Sequence, residues 1–264
     1  MILTVGDCME HGYHSQIAAV TATDLVLAYG SHIVLEASTF AIPEASVTAL
    51  IGPNGAGKST VLHALAGLLT RRSGRLDVPA RDRRGGVAYV LQATHANEHL
   101  PLTVRETVTM GRYATAGALR RLRASDRAAV ERAMEAVAIS DLATRSLRAL
   151  SGGQRQRAFV AQGLAQEADV LLLDEPITGL DIVSRQHIVD AIGLERAAGR
   201  TVVVSTHDLG DAAAADHLLL LAGRVVASGP PDAVLTEAHL ADAYGGHLLR
   251  VGEQTLILDD HPHH

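Results

Sequence analysis

The residues best suited to chemistry fall in a few short runs. Residues 52–60 read GPNGAGKST, the pattern G-x-x-x-x-G-K-[ST] that cradles phosphate when it sits between a strand and a helix. Gly52, Gly55 and Gly57 let the backbone curl and turn its N–H groups toward phosphate oxygens. Pro53, Asn54 and Ala56 fill the loop between them, and Thr60 follows in the opening helical turn. The first N–H groups of that helix and its dipole face the same anion. Lys58 can set a compact ammonium between the terminal phosphates, and Ser59 can offer a hydroxyl to Mg²⁺. Lys58 is the one lysine in a chain that otherwise uses Arg; a planar guanidinium would not fit inside a ring of amides.

Two carboxylates, Asp174 and Glu175, come directly after the apolar run VLLL. Charges that follow a buried strand stand at the carboxyl edge of its sheet, where open α/β sheets bind ligands. There Asp174 would hold Mg²⁺ and Glu175 would orient or deprotonate a water near the last phosphate. His207 ends a second such run, TVVVST, and can reach the same phosphate if its strand lies in the same sheet. Gln92, at the end of a third run, can ligate Mg²⁺ or bridge to water. Ser151 and Gln154 form a capping box around Gly152 and Gly153, so that helix start exposes N–H groups to an anion as well. The chain then carries two phosphate-binding helix ends on either side of an insertion. A two-fold dimer lets each copy's second site close over the nucleotide held by the other.

The elements that must position these groups are legible in outline. Residues 47–51 are an apolar run ahead of the loop, and Val61, Leu62, Ala64, Leu65, Leu68 and Leu69 give a helical period after it. Residues 21–51 alternate and are rich in Val, Leu, Ile and Thr, as strands are. GGVAYVL, residues 85–91, predicts a further strand. Residues 170–173 and 201–205 predict strands of a parallel sheet buried on both faces, and residues 218–227 a short strand pair. Thr103 and Glu106 predict a capping box, and Ser125 starts a helix with Val130, Ala133, Met134 and Val137 on one face. Residues 93–150 thus read as a mostly helical insertion.

Composition narrows the class. The 264 residues are 47% apolar and carry a net charge of −6 without a basic stripe, which speaks against nucleic acid. The one cysteine, Cys8, allows no internal disulfide. No apolar run reaches the ~18 residues a membrane span needs, and the first residues lack the basic start of a secretory signal. The expectation is a soluble, cytoplasmic protein. Residues 1–20, with Cys8, His11 and His14, read as an extension; the tail from 246 ends in His261, His263 and His264, either a metal buffer or a solvated end.

Together these runs resemble the nucleotide-binding subunit of ABC transporters over roughly residues 21–240. GPNGAGKST is similar to the family's first phosphate loop, Gln92 to its Q-loop, LSGGQ to its signature, VLLLDE to its acidic strand, Gly179-Leu-Asp181 to its D-loop and His207 to its switch histidine. Tyr29 matches the aromatic that stacks on adenine. Leu91 departs from the Pro that many relatives carry before the glutamine. The resemblance implies an α/β fold, a P-loop NTPase (RecA-like) core with an N-terminal antiparallel β subdomain and a helical insertion of about 93–157, within an ATP-binding domain of 21–245. It implies ATP and Mg²⁺ as cofactors, a homodimer on ATP binding, integral membrane permease subunits, an extracytoplasmic metal-binding protein acting indirectly, and a place on the cytoplasmic face of the cell membrane. The run HLPLTVRE followed by MGR looks like importers of zinc and manganese and, less closely, of iron–siderophore, haem or cobalamin. A non-transport ABC ATPase in DNA repair or translation, and a P-loop kinase, are the readings of another class.

Overall fold

The computed structural model describes residues 17–91, 101–117, 121–245, 248–251 and 254–257. Gln92, Cys8, His11, His14 and the three terminal histidines lie outside the described residues, and with them the expectations attached to each.

The chain opens with two long strands, β1 (Ala18–Tyr29) and β2 (His32–Pro43), joined by the two-residue turn Gly30-Ser31. Gly30 takes φ 59, the left-handed conformation that a tight hairpin requires. β3 (Val47–Ile51), the loop and α1 (Lys58–Ala66) follow, then β4 (Ser73–Asp77) and β5 (Val87–Val90). The insertion holds α2 (Val104–Ala116) and α3 (Ala124–Ala136) and leads into α4 (Gly152–Ala165). β6 (Val170–Leu173), α5 (Ile182–Ala197), β7 (Thr201–Ser205), α6 (Leu209–Ala213), β8 (His217–Leu221), β9 (Val225–Gly229), α7 (Pro231–Val234) and α8 (Glu237–Tyr244) complete the body. The hairpin β10 (Leu248–Val251) and β11 (Gln254–Ile257) follows.

Two sheets carry the fold. A three-stranded antiparallel sheet has the order β2-β1-β4. A six-stranded sheet has the order β5-β6-β7-β3-β8-β9, parallel except for β9. The larger sheet separates two cores, and its strands feed both by simple alternation. In β6, Val170 and Leu172 enter the core shared with the antiparallel sheet and α1, while Leu171 and Leu173 enter the core built with α2 to α5. β3, β7 and β8 divide their residues the same way. This two-sided burial is why these strands read as unbroken apolar runs.

Local chemistry sets the helices. Thr103 and Glu106 cap α2 reciprocally, and Ser151 and Gln154 do the same for α4. The face of Val130, Ala133, Met134 and Val137 is buried against α4 and its neighbours. Arg112 ties the insertion together. Its Nη2 lies 2.9 Å from Asp126 Oδ1, while Nη1 donates to the Ala165 carbonyl at 2.8 Å and to Glu167 Oε2 at 2.9 Å. Gly111 lets α2 approach α4 closely, since a Cβ there would stand 2.1 Å from the Gln162 carbonyl oxygen.

The described elements refine two boundaries of the sequence reading. The domain starts by Ala18 rather than 21, because Val20 pairs with Ile42 and is fully buried. α4 runs from Gly152 to Ala165, and Gly163 packs against Val90 of β5. Residues beyond 245 include a hairpin rather than only a tail.

Candidate nucleotide site

β3 lies between β7 and β8, and the loop that leaves its carboxyl end is shaped by three positive-φ glycines. Gly52 takes φ 147, and its α-carbon faces the β8 backbone so closely that a Cβ would fall 2.1 Å from the Leu221 carbonyl oxygen. Gly55 (φ 79) and Gly57 (φ 99) complete the curl, and Gly57 leads directly into α1. Lys58 is buried, with Nζ donating to the Gly52 carbonyl at 2.7 Å and the Pro53 carbonyl at 3.1 Å. The loop walls a cleft of about 390 Å³ lined by Asn54, Gly55, Ala56, Gly57, Lys58, Ser59 and Thr60, with His32 and Val34 from β2 and Glu175 opposite.

The acidic pair sits where β6 ends beside that loop. Asp174 is buried, and hydroxyls surround it: Ser59 Oγ donates to Oδ1 at 3.1 Å, Ser205 Oγ to Oδ1 at 2.6 Å, and the Tyr89 hydroxyl to Oδ2 at 3.2 Å. All three donors are neutral hydroxyls. Oxygen donors alone suit a hard ion such as Mg²⁺, and Ser59 with Asp174 supplies such a set. Glu175 takes φ 46, a left-handed backbone that a non-glycine residue adopts at some cost. Its N–H donates to Ser205 Oγ at 2.8 Å, which holds that turn. One serine therefore bonds both the Asp174 carboxylate and the Glu175 backbone. The sequence reading did not single it out; the signal was a hydroxyl ending an apolar strand that pairs with β6.

His207 follows β7 at the same sheet edge and is exposed. Tyr29, 48% exposed at the end of β1, has its hydroxyl 2.9 Å from His63 Nδ1 on α1. Asp181 caps α5, and the Ser184 N–H that its side chain accepts at 2.9 Å holds its carboxyl below the usual range. Ser151, Gly152, Gly153 and Gln154 open α4 away from the loop cleft; none of them lines it. Gly153 packs on the start of α5, where a Cβ would fall 2.6 Å from Ser184 Oγ. At Gly152 a Cβ would meet nothing within 4 Å, so the packing of this chain does not demand a glycine there.

The described residues thus bring together the loop, Ser59, Asp174 and Glu175, and leave the SGGQ helix start facing elsewhere. Residues 35–178 match the family model described as ABC transporter. The chain belongs to that family. A match of this extent makes it an ATP-hydrolysing subunit of an ABC transporter, with the P-loop NTPase fold seen above. It is 40% identical to the zinc transport system ATP-binding protein TroB of Treponema pallidum (strain Nichols), over 87% of this chain and 88% of that protein. It is 35% identical to the manganese transport system ATP-binding protein MntB of Bacillus subtilis (strain 168), over 90% and 96% respectively. A solved metal-chelate type ABC transporter in an inward-facing conformation superposes with a TM-score of 0.77 at 25% identity, covering 91% of this chain and 96% of that one. No helix among the described residues is long and apolar enough to cross a membrane.

Proposed function

We propose that this ABC ATPase drives the uptake of a divalent metal ion, zinc or manganese, through separate permease subunits, while bound at the cytoplasmic face of the membrane. The observation that carries the catalytic reading is the placement of Glu175 against the phosphate loop, with Ser205 bonded to both its backbone and Asp174. In this reading Tyr29 stacks on adenine and the 52–60 loop grips the phosphates. Ser59 and Asp174, with Gln92, hold the Mg²⁺ of Mg-ATP, which supplies charge stabilisation at the phosphates when bound. Glu175 takes a proton from the attacking water and His207 contacts the last phosphate. A second copy completes the pocket with Ser151, Gly152, Gly153, Gln154 and Asp181. The open space at Gly152 and the absence of this run from the cleft lining support that arrangement.

Ser151→Arg tests it. The substitution removes the α4 cap, costing about 1 kcal/mol, and puts a long cation on the face offered to the partner copy. ATP hydrolysis is expected to cease while ATP affinity of the single subunit stays within about twofold of the parent, because the loop is untouched. Equal loss of both in an ATPase assay and an ATP titration would mean the run does not act across a dimer.

The cargo reading rests on the zinc and manganese transport systems to which TroB and MntB belong and on the HLPLTVRE and MGR runs. Exposed Leu91 and Met110 border a groove of about 350 Å³ between α2, α4 and the end of β5, a place for a permease's cytoplasmic helix. The metal-chelate type neighbour supports a second reading in which the cargo is a chelated metal. Reconstitution with the permease and an extracytoplasmic binding protein in vesicles separates them: ATP-driven uptake of free Zn²⁺ or Mn²⁺ is expected. Uptake of an iron chelate with neither free ion moving would replace the first reading by the second.

A further inference from the structure

The two oxygens of Asp174 are held differently. Oδ1 accepts from both serines, at 3.1 Å from Ser59 and 2.6 Å from Ser205. Oδ2 accepts from the Tyr89 hydroxyl, at 3.2 Å. Two donors on one oxygen fix that atom but leave the carboxylate free to turn about it. A third donor on the other oxygen fixes the plane. Tyr89 is placed for this by the sheet: β5 runs parallel beside β6, with Tyr89 in register with Leu172 and Val90 with Leu173, so a half-buried ring on one strand reaches the residue that follows the other.

The ring is itself held in place. His63 of α1 packs edge-on against it, ring centroids 5.6 Å apart at 90°. His63 Nδ1 in turn meets the Tyr29 hydroxyl at 2.9 Å.

We propose that Tyr89 is a positioning residue for the nucleotide's cation: its hydroxyl sets the plane of the Asp174 carboxylate and so which oxygen is presented beside Ser59. This rests on the reading of Asp174 given above. Outer-shell hydrogen bonds that orient a ligating carboxylate are worth about 10–100-fold in metal affinity. The Tyr89 bond is long and the serines remain, so the lower end applies.

Tyr89→Phe keeps the ring against His63 and removes only the donor. The experiment is a Mg²⁺ titration of ATP binding by the full chain, alongside ATP affinity in chelator and a thermal melt. The expected result is a Mg²⁺ midpoint raised about tenfold, ATP affinity without Mg²⁺ within about twofold of the parent, and hydrolysis recovered at high Mg²⁺. A general packing role would instead weaken ATP binding with and without Mg²⁺ alike. Asp174→Asn is run in parallel. If it raises the midpoint while Tyr89→Phe leaves it unmoved, or lowers Mg²⁺-free affinity in step, Tyr89 does not position the carboxylate. If Asp174→Asn also leaves the midpoint unmoved, the reading of Asp174 falls and takes the proposal with it.

Discussion

Replacing Glu175 by Gln is expected to lower ATP turnover by about 10²-fold or more, the contribution typical of a placed general base, while ATP binding survives. The amide keeps the shape of the carboxylate and cannot take a proton. The backbone at this position already adopts φ 46 and is secured by its N–H on Ser205, so the substitution leaves the left-handed turn and its anchor as they were. Asp174 keeps its three hydroxyl donors. Loss of hydrolysis without loss of binding should accumulate an ATP-bound dimer, visible as a doubling of mass in sedimentation when ATP and Mg²⁺ are present. Turnover within a few-fold of the parent would remove Glu175 as the base.

Gly52→Ala should have the largest effect on the scaffold. The residue combines a φ of 147, closed to side chains, with a Cβ position 2.1 Å from the backbone oxygen of Leu221 and 3.1 Å from Ala56 Cβ. Neither neighbour is a flexible side-chain end. Backbone strain of about 1–3 kcal/mol adds to overpacking of about 1–3 kcal/mol. At roughly 2–4 °C per kcal/mol in a chain of this size, the melting temperature should fall by about 4–24 °C. The stabilisation that ATP confers should vanish, because the loop cannot close against β8. Gly55→Ala is the control: its φ is 79 but nothing lies within 4 Å of the added carbon, so the strain stands alone. Equal melts for the two variants would mean that contact with Leu221 does not shape the loop.

Much of the frame was legible because it is local. β6 and β7 were read to the residue, since strands buried on both faces are continuous in apolar character. The capping boxes at Thr103 and Ser151 were readable because their partners lie three residues away. β4 was missed. Its sequence SGRLD has one partly buried residue, and it becomes a strand only by pairing with β1, about fifty positions earlier. The lengths of β1 and β2 were also hidden, because register shifts break their alternation into what looks like shorter pieces. At the site, the phosphate loop and the Asp174-Glu175 pair stood out by type and spacing. Ser205, His32 and Tyr89 did not: each is an ordinary residue whose position depends on which strands become neighbours.

The buried ammonium at the loop has a practical side. Lys58 is the sequence's lone ε-amine, and its nitrogen is shut behind the Gly52 and Pro53 carbonyls. Acylating reagents, which decorate lysine-rich surfaces indiscriminately, find one side-chain amine here, and reaching it requires the loop to release its hold. The solvent-facing cations are guanidinium groups, which such reagents leave alone and which remain protonated across any ordinary buffer. Amine labelling of this subunit would therefore work as a gauge of loop opening rather than as a surface stain.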